Sequence, residues 1–175
     1  KLISVSIATG REPRDVIKYA RQLNLTAPQI SDNGALILDP NTEQELWSVP
    51  LGRSNSTRVM KIITSRDYDF IATYPGGTID GGNAIDRLDL IRISALDLEE
   101  LLADNLVNET TAAGTMNIVK VFLPYNGLWA VDFTNAGVDK AAAAAMMASM
   151  AGIKANQFAA VGDSYNDLPM LQVAG

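Results

Sequence analysis

Near the end of the chain an apolar run, Phe158-Ala159-Ala160-Val161, stops at Gly162 and gives way to Asp163-Ser164-Tyr165-Asn166-Asp167. The run is too short for a helix and reads as a buried strand, so Asp163 falls beyond its carboxyl end, where open α/β sheets bind ligands. Two carboxylates crowded there repel unless a cation, an ammonium group or a proton compensates. Hard oxygen donors of this kind suit magnesium, which keeps several waters and takes one or two protein carboxylates, often with substrate phosphate. The same residues also suit an Asx-type turn capping the next helix, with Asn166 or Asp167 as cap and Pro169 in its first turn.

Two other places in the chain could handle an anion. At Thr9-Gly10-Arg11 a β-branched run enters a tight turn ahead of Pro13. Free backbone N–H groups at a helix start, the Thr9 hydroxyl and the Arg11 guanidinium all favour phosphate, although a strand-to-helix turn is also generic to α/β folds. Lys140 is a cation in the first turn of an alanine-rich helix, against the helix dipole, at a cost of roughly 0.3–1 kcal/mol if nothing offsets it. An anion bound there would turn the misfit into an asset. A solvated lysine, or one paired with Asp139, would explain it too.

Composition narrows the chemistry. The 175 residues are 47% hydrophobic, enough for a substantial core with a smaller lobe, and contain neither cysteine nor histidine. Thiol nucleophiles, disulfides, thiolate zinc sites and the commonest general base are thereby excluded, leaving carboxylates, lysine and hydroxyls. A net charge of −6 argues against nucleic acid or an anionic membrane as partner. With neither a membrane-spanning stretch nor a signal-peptide pattern, a cytoplasmic protein is expected.

The elements that must position these residues follow from periodicity. Residues 2–8 and 158–161 read as strands, and Val16, Ile17, Ala20 and Leu23 recur at helical spacing after Pro13. Residues 29–38 read as a hairpin turning at Asn33-Gly34. After a composition shift around residues 39–50, Ser54, Asn55 and Ser56 offer caps for a helix through Arg66, followed by strands at 70–74 and 88–95. Asp97 then caps a helix carrying Leu98, Leu101, Leu102 and Leu106, and strands at 116–123 and 128–133 follow. Helix, strand, strand, given twice, makes one antiparallel sheet with both helices on one face. Residues 76–82 read as a mobile hairpin tip between strands. Asp139-Lys140 opens the last long helix, 141–151, which ends at Gly152.

Ala8-Thr9-Gly10-Arg11, Asp32-Asn33-Gly34-Ala35, Gly137-Val138-Asp139-Lys140 and Gly162-Asp163-Ser164-Tyr165-Asn166-Asp167 occur in the order seen in the haloacid dehalogenase superfamily. The chain resembles the Cof-like, sugar-phosphatase branch over its whole length. That resemblance implies an α/β fold, a Rossmann-like core with a parallel sheet in residues 1–45 and 135–175, and an inserted α+β cap domain in residues 46–134. It implies Thr9, Lys140 and Asp163 as catalytic residues, with Thr9 binding the transferring phosphoryl group and Lys140 neutralising it. Thr9, Gly10, Arg11, Asn33, Lys140 and Asn166 would surround the substrate. Mg2+ would be held by Asp163 and Asp167, the latter supporting the metal or its waters, while Asn166 orients the loop.

One departure stands out. The DxD motif that supplies the family's nucleophilic and acid/base aspartates is absent from this sequence, and the resemblance places it upstream of Lys1. The expectation is therefore a Mg2+-dependent phosphomonoester hydrolase. It would act on a small phosphorylated metabolite, such as a sugar phosphate or phosphoglycolate, through an aspartyl phosphate whose nucleophile lies outside residues 1–175. A non-catalytic binding domain of the same fold and a phosphomutase of the superfamily are the alternatives.

Overall fold

The computed structural model describes residues 3–81, 87, 89–111, 114–154 and 157–175. The chain divides into two compact units, residues 1–49 with 138–175 and residues 50–137.

In the first unit, α1 (Pro13–Gln22) starts on a proline, whose missing N–H is one that a first turn leaves unpaired anyway, and buries Val16 and Ala20. Leu23, expected in its stripe, stands exposed at the C-cap. The strands β1 (Gln29–Ser31), β2 (Leu36–Leu38) and β3 (Glu45–Ser48) form an antiparallel sheet in that order, and the turn between β1 and β2 is the expected Asn33-Gly34 hairpin. Ile30 and Ile37 of this hairpin pack on Ala143 and Ala144 of α4 (Lys140–Met150) and on Met170 of the short α5 (Leu168–Val173). Small alanine side chains let α4 approach the hairpin closely while keeping the highest helix propensity.

Two strand expectations need correction. Residues 3–7 and 158–161 lie in no named strand; the pairing of the first segment is a parallel bridge between Ala8 and Ile30, with the Ile30 N–H donating to the Ile7 carbonyl at 2.9 Å and the Thr9 N–H to the Ile30 carbonyl at 3.2 Å. A β-prone sequence becomes a strand only where a neighbouring strand takes its backbone hydrogen bonds. Among the described residues no such neighbour lies along 158–161, where Val161 is 93% exposed, although Phe158 and Ala160 pack against the core.

The second unit is a five-stranded antiparallel sheet, ordered β5 (Gly77–Asp80), β4 (Phe70–Tyr74), β6 (Arg92–Leu98), β8 (Leu128–Asn135), β7 (Met116–Leu123). Helices α2 (Arg53–Ser65) and α3 (Glu100–Thr111) cover one face: Val59, Met60, Ile63, Ala103 and Leu106 pack on Phe70, Ala72, Ile93, Ala95, Val131 and Phe133. The period of two sends the alternate residues Thr73, Arg92, Ser94, Asp132 and Thr134 to the opposite face, where Arg92 and Asp132 form a buried ion pair at 3.1 Å.

Here too the details differ from expectation. Residues 77–80 are an edge strand paired with β4 rather than a hairpin tip, because the β-branched Thr78 and Ile79 follow a tight turn and meet Thr73 and Ala72. Gly82 of the expected tip, Leu88 of the expected strand and Leu2 of the first lie outside the described residues. Asp97 caps no helix. It sits at a break in register inside β6 with a left-handed φ of 55°, and its carboxylate accepts from Asn126 Nδ2 at 2.7 Å. Starting at Glu100, α3 turns Leu101 outward, 70% exposed. The N-cap of α2 is Gly52 without a side-chain cap; Asn55 instead donates to the Leu51 and Thr115 carbonyls, at 3.1 Å each.

Candidate functional site

Every residue singled out for chemistry falls in the first unit. Lys140 begins α4, and the N-cap Asp139 accepts from the Ala142 N–H at 2.7 Å. Asp139 is thereby occupied, and Lys140 turns to Asp167, Nζ to Oδ1 2.5 Å, with the two side chains 7% and 8% exposed. The cation that opposes the helix dipole is therefore neither solvated nor paired with its neighbour. It is compensated by a buried carboxylate from the other end of the unit.

Asp167 is held on both sides. Its Oδ2 accepts from the backbone N–H groups of Asp163 at 3.2 Å and Ser164 at 3.1 Å, folding the loop back on itself. Gly162 makes room for this, since a Cβ there would stand 2.6 Å from the Asp167 Cγ and 2.7 Å from Oδ2. Burial alone would push the Asp167 carboxyl up. The Lys140 hydrogen bond and charge, helped by the two backbone donors, outweigh it and hold the carboxyl below its ordinary range. Asp167 does occupy the N-cap position of α5, with Pro169 in the first turn, but its side chain serves Lys140 and the preceding loop instead of the helix. Asp163 itself is exposed.

The Thr9–Arg11 turn is half-buried except for Arg11, and Thr9 Oγ1 accepts from the Arg11 N–H at 3.2 Å. Arg11 pairs with Asp15 of α1 at 2.8 Å on the surface. Hydrogen bonds link this turn to the Lys140–Asp167 pair: the Asn33 N–H donates to the Thr9 carbonyl at 3.0 Å, and Asn33 Oδ1 accepts from Asn166 Nδ2 at 3.0 Å, one residue from Asp167. Thr9, Gly10, Asn33, Lys140, Asn166 and Asp167 thus form one connected assembly, with Arg11 and Asp163 at its exposed margins. Asn33 is 2% exposed, so it meets its neighbours rather than solvent. Gly34 entered the sequence reading only as part of the hairpin turn and of the Asp32–Ala35 motif, with no role of its own. Gly34 has a φ of 101°, and a Cβ on it would collide with the Asp139 carbonyl and stand 3.0 Å from the Lys140 nitrogen.

Magnesium is the metal to test against this donor set. No group of three or more carboxylates that could hold an ion lies among the described residues. An exposed Asp163 beside a loop fixed by Asp167 nevertheless fits a hard cation that takes one or two carboxylates and fills its shell with water and substrate oxygen.

A profile of the haloacid dehalogenase-like hydrolases matches residues 1–79 and 83–175. The chain belongs to this family and is a hydrolase of the haloacid dehalogenase superfamily. Its fold is similar to that of a haloacid dehalogenase-like hydrolase from B. subtilis, with a TM-score of 0.81 and 18% identity over 99% of this chain and 75% of that one. It is also similar to a superfamily phosphatase from Bacteroides thetaiotaomicron, with a TM-score of 0.76 and 18% identity over 99% and 69% of the two chains. A subclass IIB sugar phosphatase aligns with a TM-score of 0.74 and 16% identity over 98% and 72%. At these identities the likeness speaks for the fold. A search of curated protein sequences gave no significant match. No helix among the described residues is long and apolar enough to cross a membrane.

Proposed function

We propose that this hydrolase is a cytoplasmic, Mg2+-dependent phosphomonoester hydrolase acting on a small phosphorylated metabolite such as a sugar phosphate or phosphoglycolate. The observation that carries the reading is the buried Lys140–Asp167 pair at 2.5 Å, tied through Asn166 and Asn33 to the Thr9–Gly10 turn. A buried lysine fixed by a carboxylate and joined to a hydroxyl-bearing turn is suited to bind and neutralise a phosphoryl group. The phosphatase neighbours support the same reading.

In this reading the Thr9 hydroxyl and the Gly10 N–H bind phosphoryl oxygens, and Lys140 offsets their charge. Asp167 holds Lys140 and the Asp163 loop in place, and Asp163 is the residue that would hold Mg2+. The bound metal would supply further positive charge to the phosphoryl group. Asp167 is committed to Lys140, and in this reading the nucleophile of the aspartyl-phosphate route belongs to the family's DxD motif, which residues 1–175 do not contain. On the same reading residues 46–134 are the inserted cap domain, the part of the chain that selects the substrate.

The test is calorimetric titration of inorganic phosphate into the chain, with and without millimolar Mg2+. Phosphate should bind, more tightly with Mg2+. Thr9→Ala should weaken it roughly tenfold or more, as for a hydrogen bond to a charged partner. Asp163→Asn should abolish the Mg2+ enhancement. No phosphate binding in either condition would refute the proposal, and an unchanged enhancement in Asp163→Asn would remove Asp163 from the metal shell.

A further inference from the structure

We infer that the three-residue turn Asp32–Gly34 is the positioning element of the site, and that Asn33 acts on the phosphate-binding groups without touching the ligand. The inference rests on the phosphate-site reading for its affinity measurements, not for its structural ones. Three segments that are distant in sequence meet this turn. Toward the first, the Asp32 and Asn33 N–H groups donate to the Arg11 and Thr9 carbonyls, at 3.0 Å each. The Asn33 side chain also lies directly over Gly10, where a Cβ would stand 2.8 Å from Oδ1 and 3.1 Å from Nδ2. Toward the second, Gly34 presses on the Asp139–Lys140 peptide so closely that no other residue fits. Toward the third, Asn33 Oδ1 receives the Asn166 amide at 3.0 Å.

This arrangement depends on a left-handed backbone, with φ of 51°, 56° and 101° at Asp32, Asn33 and Gly34. Asparagine, aspartate and glycine are the residues that enter this region most readily. At Asn33 the side-chain choice matters as well. A neutral amide can accept from Asn166 without placing a negative charge beside a site meant for an anion. Asn166 has its own dependence on this bond: its Oδ1 is enclosed with no hydrogen-bond partner among the described residues, so the contact to Asn33 is what fixes its amide plane. Asn166 in turn sits inside the loop whose Asp163 and Ser164 N–H groups bind Asp167. Removing the Asn33 amide should therefore loosen this loop.

Asn33→Gly separates positioning from folding, because glycine accepts the positive φ and keeps the N–H that serves Thr9. In this variant the Asp163 and Ser164 amides should exchange with deuterium about tenfold faster, while the Thr9 amide bonded to Ile30 stays unchanged. Inorganic phosphate should bind roughly five- to tenfold more weakly, the equivalent of one hydrogen bond. Asn166→Ala should give the same loss, and the double variant no more than either single one, because both remove one shared contact. Unchanged exchange at Asp163 and Ser164 in Asn33→Gly, or losses that simply add, would overturn the inference. A wild-type chain that binds no phosphate would refute the proposed function, and the exchange measurement would still decide the role of Asn33. Should Asn33→Gly fail to fold, Asn33→Asp keeps an acceptor for Asn166. It should retain amide protection yet bind phosphate more weakly through its charge, and lost protection there would contradict the role assigned to the amide.

Discussion

Lys140 shows how a local rule can be broken at little cost. A cation in a first helical turn is unfavourable on the dipole alone, and burying it is worse, yet the Asp167 carboxylate lies 2.5 Å from its ammonium and is itself held by two backbone N–H groups. Taking away one partner leaves the other charged and buried. Asp167→Asn should therefore lower unfolding free energy in urea by about 3–5 kcal/mol, and Lys140→Met with Asp167→Leu should recover much of that loss. The pH dependence follows from the depressed Asp167 carboxyl. Its stabilising contribution is complete above the ordinary carboxyl value of 3.8 and is lost as pH falls through the lower folded-state value. Melting curves from neutral pH into acid should fall less steeply for Asp167→Asn than for the wild type below about pH 4. Parallel curves would show that the pair does not govern acid stability.

Among the elements, those with strong local signals were readable from sequence. Helix α1 with Pro13, the 29–38 hairpin, and α4 with Asp139 ahead of it all announced themselves through period, turn chemistry or capping. Elements that depend on a partner were not. Residues 3–7 and 158–161 have strand composition but lack a ladder among the described residues, and residues 77–80 gained a strand from β4 alongside them. The same division holds at the site. Lys140 was visible as an anomaly, but its partner Asp167 lies 27 residues away, and no spacing rule connects the two. The close approaches of Gly34 and Gly162 are likewise three-dimensional facts. Because Asp139 both caps α4 and meets Gly34, Asp139→Ala should cost about 1 kcal/mol through the lost cap. It should also weaken phosphate binding, since Lys140 follows directly. Chemical denaturation and the phosphate titration measure the two effects, and an unchanged stability would deny Asp139 the capping role.

Across the whole chain, chemistry and a self-contained sheet are segregated. The site residues belong to the discontinuous unit, residues 1–49 and 138–175, whereas residues 50–137 are one uninterrupted stretch with their own core around Phe133, Ile93 and Ile63. A contiguous unit with its own core should fold alone. Residues 50–137 expressed separately should show a single cooperative thermal transition by circular dichroism, and a featureless melt would mean that this unit needs the rest of the chain. The most direct test of the proposed chemistry is phosphate release in millimolar Mg2+ from a panel of sugar phosphates and phosphoglycolate. It compares residues 1–175 with a longer chain carrying an aspartate-bearing strand ahead of them. The expected result is no turnover by the 175 residues and hydrolysis by the longer chain that is lost in Lys140→Ala. Turnover by residues 1–175 alone would contradict an outside nucleophile, and a silent longer chain would contradict the phosphatase reading in favour of a binding domain.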